Sequence, residues 1–229
     1  MQTQSRWLSY FLLLGCLAVL LTACGSSSLN PNDYYHTAPA EYYLYVPAQY
    51  TPETAWPVFI GVHGAGRTGL DCWNDWQPHA DEEGFILICP SMGGDATGWY
   101  LDDGEAKLNA ILRAVNEEYS IKNRYFLAGF SAGAFFVEMY GFRYAKWVAA
   151  VSMISAGDFD DATSQARNIP YLVIVGGNEA DRLELNRGFA NYLEQLGFNV
   201  TFHVVPNAGH TMTEEARKVT LEFYRQYEP

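Results

Sequence analysis

The sequence predicts an α/β fold in which a mostly parallel central sheet is covered by helices on both faces. Short apolar runs alternate with longer amphipathic stretches along most of the chain. The runs are apolar almost throughout, as expected of strands buried on both faces. They are EYYLYVP, WPVFIGVHG, GFILICP, RYFLAGF, WVAAVSMIS, YLVIVGG and VTFHVVP, and the predicted helices cover 69–83, 103–119, 132–146, 182–196 and 213–227.

The first 23 residues have the pattern of a bacterial export signal. Arg6 precedes an apolar run over residues 7–21, and no acidic residue interrupts it. The run ends in LTAC, which resembles the lipobox of bacterial lipoproteins, where the cysteine becomes the lipidated first residue. We therefore predict a signal peptide at 1–23 and a lipid on Cys24 that anchors the exported protein to the cell membrane or outer membrane. An uncleaved membrane anchor is the alternative.

A polar tether and one globular domain are predicted after Cys24. The segment GSSSLNPND is small and polar and contains a proline, so residues 24–40 are interpreted as lipidated cysteine and flexible tether. Residues 41–229 form the predicted domain, and a hydrophobic fraction of 49% is sufficient for a sizeable core. The net charge of −12 repels phosphate, so the sequence predicts no nucleic-acid partner.

Two cysteines remain in the predicted domain. Export permits a disulfide between Cys72 and Cys89, while the apolar run before Cys89 is equally compatible with two buried thiols. No cluster of Cys or His has the spacing of metal ligands, so the sequence predicts neither a metal nor another cofactor.

A candidate nucleophile follows the run RYFLAGF. Ser131 lies in GFSAG, which has the spacing G-x-S-x-G, and a predicted helix begins directly after it. A serine at such a strand-to-helix turn is exposed, and small neighbours relieve the crowded backbone. A chance match is the alternative for the motif by itself. The strand before it and the helix after it favour a catalytic turn.

A serine hydroxyl needs a base to accept its proton, and His210 is the best candidate. It lies in PNAGHTM, directly after the last predicted strand, and therefore at the same carboxyl edge of the sheet as Ser131. His36 falls in the tether, His79 in a helix and His203 inside a strand. His63 precedes a glycine in HGAGRTG, where a structural role is expected.

The third member of such a site is a carboxylate that orients the imidazole. The loop after YLVIVGG contains Glu179 and Asp181. Glu179 is favoured because it lies closer to the end of the strand, and Asp181 is kept as an alternative that is equally suited to capping the next helix.

Acyl transfer also needs N–H donors for the oxyanion. One is predicted at Ala132, the residue after the nucleophile, and the other at Ala65 or Gly66 in HGAGRTG. A plain glycine turn is the alternative interpretation of HGAG.

In combination these motifs resemble the α/β-hydrolase fold. Within it the chain resembles small secreted serine esterases related to polyhydroxybutyrate depolymerase and to feruloyl and acetylxylan esterases. VHGAGRTG, GFILICP, GFSAG, the acid loop and NAGHTM occur in the family's order, although glutamate is less common than aspartate at the acid position. The short stretch between WVAAVSMIS and YLVIVGG leaves no room for a large lid domain.

The resemblance implies a lipid-anchored serine hydrolase that cleaves polymer-linked or bulky carboxylic esters without a cofactor. A serine peptidase of the same fold and a catalytically silent surface-binding lipoprotein are the alternatives. Four aromatic residues near the expected site, Trp73, Trp76, Trp99 and Tyr100, are candidates for stacking on a sugar or phenolic group, with core packing as the alternative.

Overall fold

A computed structural model describes residues 29–93 and 101–229, without the side chains of residues 101 and 102. The eight strands of this part form one sheet in the order β1-β2-β4-β3-β5-β6-β7-β8. From β4 to β8 every neighbouring pair is parallel, while β2 pairs antiparallel with β4 and with β1. The strands are β1 (Tyr35–His36), β2 (Tyr42–Tyr45), β3 (Val58–Val62), β4 (Ile86–Pro90), β5 (Tyr125–Phe130), β6 (Val148–Ile154), β7 (Tyr171–Gly176) and β8 (Val200–Val205).

Five α-helices cover the two faces of the sheet. They are α1 (Gly69–Glu83), α2 (Leu101–Glu118), α3 (Ala132–Arg143), α4 (Ala180–Gln195) and α5 (Glu214–Tyr227). Helices α1 and α5 share one buried cluster with the sheet, while α2, α3 and α4 contribute to the other. The predicted mostly parallel α/β architecture is confirmed. Strands β3 to β7 are buried along their whole length, which explains why their sequences are apolar throughout.

The helix bounds follow local sequence signals. Helix α1 begins after Thr68, whose side chain forms a capping box with Asp71, and it ends at Gly84 with φ of 72°. Helix α3 is shorter than predicted, because Tyr144 leaves the helical conformation and a short 3-10 turn over Ala145–Trp147 leads into β6.

The predicted boundary between tether and domain at residue 41 is wrong. Residues Pro31–Tyr34 form a 3-10 helix, and Tyr35 and His36 pair with β2 as the edge strand β1. The tyrosine ring of Tyr34 packs 4.9 Å from that of Trp73, centroid to centroid. The polar composition of the segment gave no signal for this attachment, which depends on the partly buried rings of Tyr34 and His36, whereas Tyr35 is exposed.

Cys72 and Cys89 form a disulfide with a Cα–Cα distance of 5.7 Å. The bridge joins α1 to the end of β4, and both cysteines are buried. It therefore fixes the helix that follows the HGAGRTG loop to the neighbouring strand. The open choice between a bridge and two free thiols is decided in favour of the bridge.

Other sequence predictions fall outside the described residues. The predicted signal peptide, Cys24, Trp99 and Tyr100 are among them. Within the described residues, no helix combines the length and hydropathy needed to cross a membrane. Between β6 and β7 the chain has only residues 155–170, which contain one 3-10 turn, as expected for a fold without a large lid at this position.

Candidate active site

Ser131 occupies a strained turn between β5 and α3. Its φ of 56° and ψ of −117° lie outside the regions that L-residues ordinarily adopt. The backbone is nevertheless held on both sides, because the N–H of Ser131 donates to the carbonyl of Ile154 over 2.8 Å and its carbonyl accepts from Ala134 over 3.0 Å. The strain leaves the side chain at the carboxyl edge of the sheet, which is the geometry that G-x-S-x-G predicts.

The two glycines of the motif are needed for close backbone packing. A Cβ on Gly129 would lie 2.1 Å from the carbonyl oxygen of Gly133. A Cβ on Gly133 would lie 2.3 Å from the carbonyl oxygen of Val62 and 2.5 Å from that of His63. Both distances are far below van der Waals contact. Any side chain at these positions would push α3 away from the ends of β5 and β3.

His210 bridges the serine and a carboxylate. Its Nε2 lies 2.9 Å from the Ser131 Oγ, and its Nδ1 lies 2.6 Å from the Glu179 Oε2. The ring also stacks on Phe130 at a centroid distance of 4.9 Å. With the proton on Nδ1 donated to the carboxylate, Nε2 is free to accept the proton of the hydroxyl. This arrangement can activate Ser131 as a nucleophile.

The carboxylate of Glu179 is buried and held by several groups. Its Oε1 accepts from the backbone N–H of Gly176 over 3.0 Å and from the hydroxyl of Ser155 over 2.7 Å. Its Oε2 faces His210, and the Nε of Arg182 lies 3.8 Å from the same oxygen. Only 4% of the Glu179 side chain is exposed. A buried carboxylate needs such partners, because its charge has lost water.

Ser155 is the residue that sequence reasoning missed. It directly follows β6, is buried, and has a φ of 55°. Its N–H donates to the carbonyl of Ile174 over 2.7 Å, and its own carbonyl accepts from Arg182 over 3.1 Å. The only signal in the sequence was the position of this serine at a strand end, at the same edge as Ser131 and the acid loop.

The structure brings Glu179, and not Asp181, to His210. Glu179 occupies the position before the first residue of α4, where its side chain makes no capping bond. Asp181 lies in the first turn of α4 and is exposed. Asp181 is therefore not the helix cap that we expected as its alternative role. An acidic residue in the first turn does favour the helix dipole.

The HGAGRTG loop lies beside the nucleophile. A Cβ on Gly64 would be 3.3 Å from the Ser131 Cβ, so the main chain at this point passes close to the serine. The loop turns back through a bond from the Arg67 N–H to the Gly64 carbonyl, and Ala65 and Gly66 are exposed at its tip. The main chain of the HGAGRTG loop therefore passes close to Ser131.

His63 holds this loop, as predicted for a structural residue. Its Nδ1 lies 2.8 Å from the carbonyl oxygen of Gly64, and its Nε2 accepts from the N–H of Met92 over 3.1 Å. These partners place the ring proton on Nδ1, and burial lowers the pKa of His63. On the other side of the serine, Ala132 is the first residue of α3, so no preceding turn of the helix can accept its N–H.

Two of the four aromatic candidates for substrate stacking are core residues. Trp73 and Trp76 are 3% and 2% exposed. Trp73 packs among tyrosines of the β1–β2 region, and Trp76 packs on Phe59 at 4.9 Å between centroids. Trp99 and Tyr100 lie outside the described residues. Within the described ranges, no group of three or more His, Cys, Asp or Glu side chains has the arrangement of a metal site.

The chain matches no protein-family model. It is 25% identical over 196 residues to the bifunctional acetylxylan esterase/xylanase XynS20E of Neocallimastix patriciarum, covering 72% of this chain and 29% of that protein. It is also 25% identical over 184 residues to feruloyl esterase B of Talaromyces funiculosus, covering 77% of this chain and 48% of that protein. The chain thus spans less than half the length of each of these curated relatives.

Similarity to solved structures establishes the fold. The crystal structure of a thermostable esterase superposes with a TM-score of 0.68 at 18% identity, covering 87% of this chain and 64% of that one. Because the sequence identity is so low, this similarity concerns the backbone fold and not the function. The chain has the α/β-hydrolase fold, as its motifs predicted.

Proposed function

We propose that this protein is a serine hydrolase that cleaves carboxylic esters. The observation that carries the proposal is the continuous hydrogen-bonded chain from Glu179 through His210 to Ser131, at distances of 2.6 and 2.9 Å. Two further observations support it. The serine has the strained turn typical of an exposed nucleophile, and both curated relatives are named as esterases.

The proposed reaction starts when the Ser131 Oγ attacks the ester carbonyl carbon and His210 Nε2 takes the hydroxyl proton. The tetrahedral intermediate collapses as the C–O bond to the alcohol breaks, and His210 returns the proton to the departing oxygen. Water then attacks the acyl-enzyme in the same way, with His210 as base, and releases the acid and the free serine. Glu179 stabilises the imidazolium during both halves.

The oxyanion of each tetrahedral intermediate is proposed to bind two main-chain N–H groups. One belongs to Ala132 and the other to Ala65 or Gly66 of the loop that Gly64 brings beside the serine. Each such donor is worth about 3 kcal/mol of barrier in serine hydrolases generally.

Ser155 and Arg182 are proposed as positioning residues for the acid. A glutamate has one more rotatable bond than aspartate, so its carboxylate needs additional restraint. The bonds from the Ser155 hydroxyl and the Gly176 N–H fix Oε1, which leaves Oε2 facing His210. Arg182 in turn holds the carbonyl of Ser155. These contacts account for the glutamate at a position where the resemblance leads us to expect aspartate.

The proposed substrates are esters on polymers or on other bulky alcohols. The names of the two relatives, an acetylxylan esterase and a feruloyl esterase, support acetyl or hydroxycinnamoyl esters of plant polysaccharide. The short connection between β6 and β7 supports an open site, which suits a bulky substrate. The similarity to polyhydroxybutyrate depolymerase remains a prediction from sequence motifs.

A labelling experiment tests the hydrolase proposal. Wild-type protein should react covalently with a fluorophosphonate probe and turn over p-nitrophenyl acetate but not a peptide p-nitroanilide. Ser131→Ala should lose the label and about six orders of magnitude in kcat, because the attacking oxygen is gone. The matched control Ser164→Ala changes an exposed serine and should behave like wild type.

Each alternative has its own outcome. Preferential cleavage of the peptide would favour a serine peptidase of the same fold. Absence of both labelling and turnover in the wild type would favour a catalytically silent binding protein. Full activity in Ser131→Ala would show that the GFSAG turn has no catalytic role.

We also propose that the protein is exported and anchored by a lipid on Cys24. The support is the leader with Arg6, the apolar run and LTAC. Cys24→Ala should release the protein from the membrane fraction or block its processing, as followed by fractionation and gel mobility. Unchanged membrane retention together with unchanged size would contradict the lipid anchor.

A further inference from the structure

Two cavities flank one exposed tryptophan at the amino edge of the sheet. Trp147 is 39% exposed and lines both of them, one with a volume of 490 Å³ and the other of 580 Å³. Tyr144 is the other aromatic wall that the cavities share, and it stacks on Tyr140 at 4.4 Å between centroids. We call this surface the Trp147 groove.

The groove lies far from the nucleophile. Tyr125, at the start of β5, lines it, whereas Ser131 follows the end of the same strand. A strand of six residues spans about 20 Å, so the groove and the candidate active site are at opposite ends of β5. No member of the chain from Glu179 through His210 to Ser131 lines the groove.

The cations of the groove are unusual for so acidic a protein. Acidic residues number 26 against 14 Lys and Arg, so a cation readily finds a carboxylate. Among the described residues five Lys and Arg nevertheless form no ion pair with a described acid, namely Arg113, Arg124, Lys146, Arg167 and Lys218. The first three of these line the groove, although Arg124 also donates to the carbonyl of Val148. Arg143 lines it as well and is paired with Glu105 and Asp160, while no Asp or Glu among the described residues lines the groove itself.

Amide side chains complete the lining. Three asparagines line the larger cavity, and an asparagine and a glutamine line the smaller one; they are Asn109, Asn116, Asn123, Asn168 and Gln165. Each amide both donates and accepts hydrogen bonds, which matches the hydroxyl groups of a sugar. The ammonium of Lys146 lies 4.6 Å from the Trp147 ring centroid, so aromatic surface and positive charge occur together.

We propose that the Trp147 groove binds an oligosaccharide that carries carboxylates, such as a chain with uronic acid residues. The apolar C–H face of a sugar ring packs on the exposed indole and the amides pair with its hydroxyls. A carboxylate pairs with Arg113 in the larger cavity or with Lys146 in the smaller one. A neutral sugar would leave Arg113 without an acidic partner among the described residues, and Lys146 with only its contact to the Trp147 ring. The inference does not rest on the proposed ester hydrolysis, because none of the residues proposed for that reaction lines the groove.

Binding to the purified full chain tests the proposal by calorimetric titration. One ligand is xylotriose carrying a single glucuronic acid, and the matched neutral ligand is xylotetraose. The acidic ligand should bind at least about tenfold more tightly, and its affinity should fall as salt is raised, because exposed charges are screened. Equal affinity for both ligands, or no binding of the acidic one at millimolar concentration, would overturn the proposal.

Variants locate the binding surface. Trp147→Ala should weaken binding of the acidic ligand at least about tenfold. The double variant Arg113→Gln, Lys146→Gln should remove the preference for the acidic ligand, because it leaves the aromatic wall intact. The matched controls are Tyr192→Ala, an exposed aromatic on α4, and Lys218→Gln, an unpaired cation on α5. Neither should change binding, and an equal loss in the controls would contradict the assignment.

Two further measurements separate this proposal from others. All of these variants should hydrolyse p-nitrophenyl acetate at the wild-type rate, and Ser131→Ala should bind the acidic ligand normally. Failure of the hydrolase proposal therefore leaves this one untouched. A short single-stranded oligonucleotide should bind more weakly than the acidic oligosaccharide. Tighter binding of the oligonucleotide would identify a general polyanion surface and overturn the carbohydrate assignment.

Discussion

The two ends of β5 differ in how their polar groups are satisfied. At the carboxyl end, Glu179 is buried, and its oxygens face three close hydrogen-bonding partners. The cations nearest this end are paired with acids, as Arg67 is with Asp71. At the amino end, by contrast, Trp147 is exposed and Lys146 forms no ion pair with a described residue.

This difference is what we expect if the carboxyl end carries out a reaction and the amino end binds a ligand. A reacting group must be held in place before the substrate arrives, so its partners are all within the protein. A surface that binds a ligand instead keeps groups whose partners the ligand supplies. The carboxyl end is therefore expected to be sensitive to the loss of a single bond, and the amino end to tolerate substitution without loss of turnover.

After loss of the nucleophile itself, the largest effect should follow from neutralising the acid at the carboxyl end. Glu179→Gln should lower kcat by about four orders of magnitude, because the imidazolium loses its counter-charge and its tautomer is no longer fixed. The matched control Asp181→Asn should keep its turnover and lose about 0.5 kcal/mol of stability, as expected for an acid in the first turn of a helix. Steady-state kinetics and thermal midpoints measure both. The reverse pattern would assign the acid role to Asp181.

A smaller loss should follow from removing the hydroxyl of Ser155. Ser155→Gly should lower kcat about 10- to 100-fold with little change in KM, because a hydrogen bond to a charged group is worth about 1.5–3 kcal/mol. Glycine tolerates the φ of 55° at this position, so the backbone stays unstrained and the thermal midpoint should fall only by what the lost hydrogen bond contributes.

The converse variant is Ser155→Thr. It keeps a hydroxyl but places a β-branched side chain at positive φ, so it should retain more turnover than Ser155→Gly at a lower thermal midpoint. A merely structural role would make activity follow stability in both variants. Wild-type kcat in Ser155→Gly would show that this hydroxyl does not position the acid.

The smallest effect on turnover and on oligosaccharide binding should follow from replacing Glu138, in the middle of α3. Burial raises the pKa of Glu138 to about 9, and its carboxyl group accepts from the N–H of Asp160. The group is therefore neutral when folded and charged when unfolded at pH 7. Its contribution to stability is fully present below the unfolded pKa of 4.5 and is lost as pH rises towards 9.

Glu138→Gln should remove this dependence without changing turnover or oligosaccharide binding. The stability of the variant relative to wild type should rise by up to about 1.4 kcal/mol for each pH unit within that window. Urea unfolding at pH 5 and pH 8 measures the difference. A stability difference that does not change with pH would contradict the neutral buried carboxyl.

Most of the fold could be predicted because its signals are local. The run GFILICP contains β4, and the predicted helix 69–83 coincides with α1, which has a capping box at one end and a glycine at the other. The edge strand β1 was missed because two residues give no periodicity and lie in a polar segment. Its pairing with β2 depends on contacts that local sequence does not show.

For the candidate site, the sequence motifs predicted Ser131, His210 and two choices of acid. Both acids lie within three residues of the chain directly after β7, so spacing could not separate them. The decision depends on a side-chain distance, and the structure gives 2.6 Å between Glu179 and His210. Ser155 escaped prediction because a serine at a strand end has no distinctive neighbours.

The sequence by itself determined which segments form the helices and the strands other than β1. It also determined where the chain turns sharply at Ser131 and which edge of the sheet collects the candidate catalytic side chains. These properties follow from local hydrophobic period and from small residues at the turn. Only the tertiary structure decided which acid faces His210, the disulfide between Cys72 and Cys89, and the grouping around Trp147 of cations that form no ion pair with a described acid. Those depend on how residues distant in the chain meet across the sheet, and the free energy of each contact depends on the burial and the partners that the packing creates.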